Sequence, residues 1–152
     1  MSDIPSPSAE LLCQAVDGFW ETVPSFWHKV RAYIRTIAEE QHDITVEQFH
    51  ILRHIRQGIC LASEIAEAKR ISRPAISQAV ELLVQKGLVV RRQNPDDRRE
   101  VQLSLTPAGD ALLDALFDRT RQWMAGLFTS LSDAELQAII AAMKALNKTI
   151  PA

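Results

Sequence analysis

Several features that would assign this chain to a secreted or membrane-bound class are scarce or missing. Only two cysteines, Cys13 and Cys60, occur in 152 residues, and neither has a CxxC or CxxH neighbour. This excludes a disulfide scaffold and a zinc knuckle. No apolar run is long enough to span a bilayer, and the first ten residues, MSDIPSPSAE, lack the basic and apolar segments of a signal peptide. We therefore expect a cytoplasmic protein without a membrane partner.

Motifs of catalysis are missing as well. The sequence has no nucleophile elbow, phosphate-binding loop, HExxH motif or paired-carboxylate constellation. We therefore expect that the chain is not an enzyme, has no catalytic residues and uses no cofactor and no metal. His50 and His54 lie four residues apart on one predicted helix, with His42 upstream, a spacing that can bind zinc or copper. No cysteine or carboxylate cluster completes that site, so a protein that responds to a metal ion is an alternative only.

What the chain does contain is a basic segment within an acidic body. From Lys69 to Arg99 there are eight basic and three acidic residues, a net charge of +5, whereas the rest of the chain carries −7. The formal net charge of −2 hides this asymmetry. A basic patch on an acidic body is the electrostatic signature of a protein that binds a polyanion such as DNA.

The basic segment coincides with a pattern of two short helices followed by a hairpin. Ser72 is the predicted N-cap of the second helix, Pro74 falls in its first turn, and Gly87 ends it. A helix-turn-helix followed by a β-wing grips duplex DNA, with one helix in the major groove and the wing at the backbone or the minor groove. The predicted helices cover residues 62–69 and 72–87, and the predicted strands cover 88–93 and 100–105 around a polar turn at 94–99.

Long helical patterns flank this winged segment. Apolar side chains recur three and four positions apart over residues 9–40, and Pro24 is expected to kink or break that helix. Thr45 and Gln48 predict a capping box for a helix that stops at Gly58. The remaining predicted elements are a short strand at 59–61, a helix from Thr106–Pro107, and a last helix that starts with a capping box of Ser132 and Glu135.

The apolar stripes of the flanking helices exceed what a small winged domain needs to bury. Buried apolar surface contributes about 25 cal/mol per Å², so two chains that pool these stripes gain more than one chain that exposes them. We predict a mainly α-helical winged helix-turn-helix fold with a small β-wing and N- and C-terminal dimerisation helices; one larger monomer is the alternative. The predicted organisation is a flexible tail over 1–8 and a single domain over 9–152, with dimerisation helices at 9–44 and 107–152 and a DNA-binding region at 45–106.

The predicted DNA contacts lie on the second helix of the motif and on the wing. Gln78 suits adenine, Arg73 suits guanine or phosphate, and Ser77 suits either a base or a phosphate. An aspartate such as Asp97 can orient a neighbouring wing arginine for a narrow minor groove. Helix capping by Ser72, a solvated Arg73 and a merely polar wing turn are the structural alternatives. The full predicted set is Ser72, Arg73, Pro74, Ala75, Ser77, Gln78, Arg91, Arg92, Asp97, Arg98 and Arg99.

Three blocks of this sequence resemble the multiple antibiotic resistance regulator (MarR) family of bacterial transcription factors. They are TVEQFHIL, ISRPAISQAVELLVQKGLVVRR and NPDDRREVQLSLTPAG. The resemblance runs from about Phe19 to Ile150 and implies a homodimer that binds a pseudo-palindromic operator in double-stranded DNA, usually as a repressor that small molecules or oxidants release. Three departures stand out: Gln78 occupies a position where an arginine is frequent, the turn at Lys69–Arg70 lacks the common glycine, and Pro24 falls inside the first helix.

The resemblance also implies an effector site between the dimerisation helices and the winged segment. Aromatic and histidine side chains there suit a planar aromatic acid or phenol, with core packing as the alternative for each aromatic. The candidates are Phe19, Trp20, Phe26, Trp27, His28, Tyr33 and His50.

Two alternatives concern how the chain is controlled and whether it binds DNA at all. Cys13 makes redox control one alternative, although it lies several residues earlier than the reactive cysteine of peroxide-sensing family members and has no tyrosine close in sequence. A winged-helix protein-interaction module is the other alternative. The arginines on the DNA-facing elements argue against it.

Overall fold

The computed structural model describes residues 8–93 and 101–149 and confirms a mainly helical fold with a small sheet. The helix-turn-helix is formed by the helices Ala62–Lys69 and Arg73–Gln85, and the wing by the strands Val89–Gln93 and Val101–Leu105. Residues 1–7, 94–100 and 150–152, which include most of the predicted tail and the whole wing turn, lie outside the described residues. In chain order the elements are α1 (Ala9–His42), α2 (Val46–Arg56), α3 (Ala62–Lys69), α4 (Arg73–Gln85), β1 (Val89–Gln93), β2 (Val101–Leu105), α5 (Pro107–Phe128) and α6 (Asp133–Asn147).

A kink or a break is predicted at Pro24, and the break is wrong, because α1 is one continuous helix through this residue. Its N-cap is Ser8, the last residue of the predicted tail, whose hydroxyl accepts a hydrogen bond from the Leu11 N–H at 3.3 Å. A proline removes one N–H and leaves the carbonyl four residues earlier without its helical partner. That carbonyl belongs to Trp20, which is 76% exposed, so water can donate the missing hydrogen bond to it and the helix continues.

Helix α2 confirms the predicted capping box and its inward face. The Thr45 hydroxyl accepts from the Gln48 N–H at 3.2 Å, and the Gln48 side chain accepts from the Thr45 N–H at 3.0 Å. Phe49, Leu52 and Ile55 are buried as predicted, and so is Ile51. The chain then turns at Gly58, whose φ of 91° lies in the left-handed region that favours glycine.

The wing is a two-stranded antiparallel sheet in which Val89 pairs with Leu105 and Gln93 pairs with Val101. Both strands lie within the segments predicted for them. The short strand predicted at 59–61 is present as a single bridge between Leu61 and Gln102. The Leu103 N–H also donates to the Cys60 carbonyl at 2.8 Å, so this segment borders β2 on the side away from β1.

The chain divides into two compact units, residues 1–116 and 117–152, with the boundary inside α5. The first unit contains an extensive apolar core. In the second unit, α6 buries none of its residues and Thr120 of α5 is buried. Among the described residues, no helix combines the length and the apolar character that crossing a membrane requires. The side chains that are at most 2% exposed are Ile44, Phe49, Ile51, Leu52, Ile65, Ile76, Val80, Leu83, Val89, Leu103, Leu113 and Leu116, together with Val30 and Ala38 of α1.

Candidate nucleic-acid interface

Helix α4 presents opposite faces to the core and to solvent. Ile76, Val80 and Leu83 recur four and three residues apart and are at most 1% exposed, so they anchor the helix on the core. The N-terminal part of α4 therefore exposes a mixture of polar, cationic and small apolar side chains to solvent. The six residues of this segment that the sequence singles out are all exposed: Ser72, Arg73, Pro74, Ala75, Ser77 and Gln78.

Ser72 occupies the N-cap position of α4 but does not cap it through its side chain. Its backbone is extended, with φ −63° and ψ 141°, and its hydroxyl makes no capping hydrogen bond. Pro74 in the first turn has no N–H to satisfy, which is why proline is tolerated there. The Ser72 hydroxyl thus remains available to a partner outside the helix, unlike the Thr45 hydroxyl in α2.

The turn between α3 and α4 is closed by an arginine in an unusual backbone conformation. Arg70 has φ 53°, in the left-handed region where glycine is the usual residue at the end of a helix. The Ile71 N–H donates to the Ala66 carbonyl at 3.0 Å and closes the turn. The structure thus forms the turn without a glycine at this position.

The described cations of the basic segment fall into two groups. The first group forms ion pairs. It includes Lys86, whose hydrogen bond and positive charge hold the pKa of the Asp43 carboxyl below its ordinary value. Arg70, Arg73 and Arg92 form the second group, because none of the ion pairs among the described residues involves them. The pairs of the first group are Lys69–Glu47 at 3.3 Å, Lys86–Asp43 at 2.8 Å and Arg91–Glu81 at 2.7 Å.

The two arginines of β1 differ in their surroundings. Arg91 pairs in register with Leu103 and its guanidinium donates to the Glu81 carboxylate of α4. Arg92 pairs in register with Gln102 and is exposed. Asp97, Arg98 and Arg99, the predicted contacts at the wing turn, lie outside the described residues. Sequence reasoning missed the Arg91–Glu81 pair, because its partners lie in a helix and a strand ten residues apart.

A tight joint connects the end of α4, the start of β1 and the start of α5. The Thr106 hydroxyl donates to the Gly87 carbonyl at 2.7 Å and accepts from the Gly109 N–H at 3.0 Å. The Thr106 N–H donates to the Leu88 carbonyl at 3.1 Å. A Cβ atom on Gly109 would lie 2.2 Å from that carbonyl oxygen. The sequence predicts the helix start at Thr106–Pro107 but not this close approach.

The predicted effector residues occupy exposed or half-buried positions on α1 and α2. Phe19 and Trp27 are each 46% exposed and Trp20 is more exposed still, so the alternative that these three aromatics pack in the core of a single chain is wrong. The Arg31 guanidinium lies 5.8 Å from the ring centre of Trp27, within range of a cation–π contact. The others are placed as follows: His28 is exposed, and Phe26, Tyr33 and His50 are half-buried.

A cavity of about 310 Å³ lies elsewhere, between the end of α1, the start of α2 and α4. None of the seven predicted effector residues lines it. The lining residues are Glu39, Asp43, Ile44, Thr45, Gln48, Leu82 and Lys86.

His50 and His54 lie in a partly buried, positively charged environment. Burial lowers the pKa of both imidazoles, and the charges of Lys69 and Arg53 lower them further. The Nδ1 atom of His54 and the Oε1 atom of Glu47 are buried without a hydrogen-bond partner in the described part of the chain. Residues 8–93 and 101–149 contain no cluster of three or more histidine, cysteine or carboxylate groups suited to a metal ion.

The two cysteines lie in different surroundings. Cys13 is an exposed free thiol on α1. Cys60 is also a free thiol, but it is partly buried beside β2.

Comparison with known proteins places this arrangement among bacterial regulators. A family model described as MarR family matches residues 42–100. The HTH-type transcriptional regulator YhbI of Bacillus subtilis is 30% identical over 111 residues, 72% of each chain. The HTH-type transcriptional repressor MdtR of the same organism is 31% identical over 98 residues, 64% of this chain and 63% of MdtR. The transcriptional regulator Tm0710 from Thermotoga maritima shares the fold, with a TM-score of 0.78 at 20% identity over 88% of this chain and 94% of that one.

Proposed function

Because the chain belongs to the MarR family of winged helix-turn-helix DNA-binding transcriptional regulators, we propose that it binds a pseudo-palindromic operator as a homodimer. We further propose that it represses transcription until a small aromatic effector releases it. The observation that carries the proposal is the outward face of α4, where Ser72, Arg73 and Gln78 are exposed over a buried apolar anchor. The similarity to MdtR, which is named a repressor, supports repression rather than activation.

In this proposal the first two turns of α4 enter the major groove. Gln78 pairs with adenine, and Arg73 contacts guanine or phosphate. The Pro74 ring and the Ala75 methyl group contact a thymine methyl, and the uncommitted Ser72 hydroxyl, like that of Ser77, donates to phosphate or base. Arg92 on the wing contacts the phosphate backbone. Asp97, Arg98 and Arg99 are assigned to the minor groove from their position in the sequence.

Exposed apolar residues support the homodimer. In the first three turns of α1, Leu11, Leu12 and Val16 are all more than half exposed, which is costly for a single chain in water. In the second unit Ile140 and Met143 of α6 are similarly exposed. We assign residues 9–44 and 107–152 to dimerisation and residues 45–106 to DNA binding. In this proposal a second copy of the chain covers the exposed apolar faces of α1 and α6.

The exposed aromatic residues of α1 supply a candidate effector surface. Trp20, Trp27 and Phe19 offer flat apolar rings, and His28 and His50 offer groups that can hydrogen-bond to a carboxylate or phenol. Titration with salicylate-like acids should lower operator affinity and change the thermal midpoint of the protein. If neither quantity responded, this part of the proposal would fail while DNA binding would stand.

The experiment that tests operator binding is selection of bound duplexes from a random DNA pool at moderate salt. The expected product is an inverted repeat with half-sites about one helical turn, roughly 10 bp, apart. Arg73→Ala should then weaken binding to the selected site by about 1–3 kcal/mol. Arg35→Ala, which removes an exposed arginine from α1, is the matched control and should bind like wild type.

Other results of the selection would separate the alternatives. Salt-sensitive binding without a motif would indicate a non-specific DNA-binding protein, because affinity would then come from phosphate contacts alone. Absence of any DNA binding would favour the protein-interaction module. An inverted repeat whose affinity does not depend on Arg73 would support the dimer and contradict the contact assigned to α4.

A further inference from the structure

The ion pair between Arg91 and Glu81 joins the wing directly to the recognition helix. The Arg91 Nη1 atom lies 2.7 Å from the Glu81 Oε2 atom, a short charge-assisted contact. The two side chains are 43% and 47% exposed. Arg91 is in the middle of β1, and Glu81 is in the third turn of α4. The pair therefore connects two elements that the proposed function places against the same duplex.

The register of the sheet explains why Arg91 and not Arg92 reaches α4. Side chains that are paired across an antiparallel sheet point to the same face, and neighbours along a strand point to opposite faces. Arg91 shares its face with Leu103, which is 2% exposed and belongs to the core. This face is turned toward the body of the first unit. Arg92 shares the opposite face with Gln102.

The position of Glu81 gives the pair a functional meaning. Glu81 lies one turn beyond Ser77 and Gln78, at positions i+4 and i+3, so it continues the predicted DNA-facing stripe of α4. A lone carboxylate there would repel phosphate groups. Paired with Arg91, its charge is balanced, and it becomes an attachment point for the wing.

We infer that Arg91 is a positioning residue that fixes the wing against α4, whereas its neighbour Arg92 supplies the phosphate contact. This inference rests on the proposed function. The sequence predicts a phosphate contact for at least one of the two arginines, and the inference assigns it to Arg92. It follows that the carboxylate of Glu81 favours operator binding, although a negative charge near DNA would by itself oppose it.

The sign of the Glu81→Gln effect separates positioning from simple charge. If Arg91 positions the wing through Glu81, Glu81→Gln and Arg91→Gln each weaken operator binding by about threefold to fivefold, as expected for a partly exposed pair. The double variant should bind no more weakly than either single variant. The exchange Glu81→Arg with Arg91→Glu keeps the pair and the net charge, and it should return affinity to within about twofold of wild type.

The salt dependence of operator binding distinguishes a phosphate contact from a positioning role, because only the loss of a phosphate contact changes it. Each phosphate contact that is lost lowers the slope of log affinity against log salt by about 0.9 for duplex DNA. Arg92→Gln should lower the slope by about this amount. Arg91→Gln should leave the slope unchanged while it lowers affinity.

Amide hydrogen exchange over residues 88–93 tests the pair without DNA. Both single variants should exchange faster there than wild type, and the charge-exchanged variant should be restored. If wild type selects no operator but exchange behaves in this way, the wing attachment stands and the proposed function falls.

The inference is overturned if Glu81→Gln raises operator affinity and Arg91→Gln lowers both the affinity and the salt slope. Arg91 would then be a DNA contact and Glu81 only a repulsive charge. Unchanged exchange over 88–93 in both single variants would equally refute it.

Discussion

The winged segment and the ends of the chain expose their apolar residues to very different degrees. Within the winged segment, from α2 to β2, the side chains of Phe49, Ile76 and Leu103 are almost completely buried. In α1 the first buried residue is Val30, and residues 8–22 are all exposed. In α6 no residue is buried. Both regions carry amphipathic helices, so the difference lies in what each helix has available to cover its apolar face.

This contrast indicates that the winged segment completes its own core and that the helices at the ends do not. A helix gains most of its stability in a protein from packing one face against a partner. Helix α4 finds that partner in its own chain through Ile76, Val80 and Leu83. For the exposed stripes on α1 and α6, the partner that we propose is the second copy of the chain. Substitutions in the two regions should therefore affect different equilibria, unfolding in one and association in the other.

The largest effect is expected for Gly109→Ala, at the joint between the winged segment and α5. The new Cβ would meet the Leu88 carbonyl oxygen at 2.2 Å, so either α5 or β1 must move. Overpacking against backbone is not relieved by a rotamer change, and we expect a loss of about 3 kcal/mol in the free energy of unfolding. Urea denaturation followed by circular dichroism measures it.

Gly126→Ala, near the end of the same helix, is the matched control. Nothing lies within 4 Å of a Cβ at that position, and alanine favours a helix over glycine by about 1 kcal/mol. Gly126→Ala should therefore leave stability unchanged or raise it slightly. If both variants lost the same free energy of unfolding, α5 as a whole would be sensitive to alanine, and not only the joint. The distinction between the winged segment and the ends of the chain would then be weaker.

A smaller effect, on association, is expected for Trp20→Ala. Trp20 is the most exposed of the large apolar residues on α1, and a tryptophan covers about 150–250 Å² when it is buried. If it is buried between two copies, its removal should cost about 2 kcal/mol of dimer stability, which is roughly a thirtyfold rise in the dimer Kd. Sedimentation equilibrium over a range of concentrations measures this change.

The control for Trp20 is Leu82→Ala, which removes an exposed leucine from α4 within the winged segment. It should leave the dimer Kd at the wild-type value. A wild-type chain that sediments as a monomer at micromolar concentration would contradict the dimer and leave the exposed stripe of α1 without the partner proposed for it.

Local patterns were enough to predict most of the fold and the outward face of α4. The capping box of Thr45 and Gln48 spans four residues, and the spacing of Ile76, Val80 and Leu83 follows directly from the period of a helix. These features depend only on residues close in sequence. For the same reason the family resemblance, carried by contiguous blocks, agreed with the comparisons.

Features that depend on contacts between elements were not predictable in this way. The Glu81–Arg91 pair joins a helix to a strand, and Lys69 is drawn from the basic segment into a pair with Glu47. Whether Pro24 breaks its helix likewise depends on whether the freed carbonyl meets water or a buried surface, and the break did not occur. Such outcomes need the positions of neighbouring elements, which periodicity does not supply.

The smallest effect is the response to acid, which should be confined to the winged segment. Burial lowers the pKa of His50 and His54 below the ordinary value of 6.5, with Lys69 and Arg53 adding to the shift and Glu47 opposing it. As the pH falls, the unfolded chain therefore takes up protons before the folded chain does. The stabilisation is present above about pH 6.5 and is lost as the pH falls through the folded-state pKa values. Thermal midpoints measured from neutral to mildly acidic pH should decline accordingly.

His54→Gln should make this decline shallower, because it removes one of the two imidazoles that must be protonated in a partly buried site. His28→Gln, which removes an exposed imidazole from α1, controls for the loss of a histidine and should keep the wild-type profile. The dimer Kd should change little over the same pH range, since both partly buried imidazoles belong to α2. If acid dissociated the dimer and left the thermal midpoint of the monomer constant, the responsive groups would lie in the chain ends, and the histidines of α2 would play no part in the acid response.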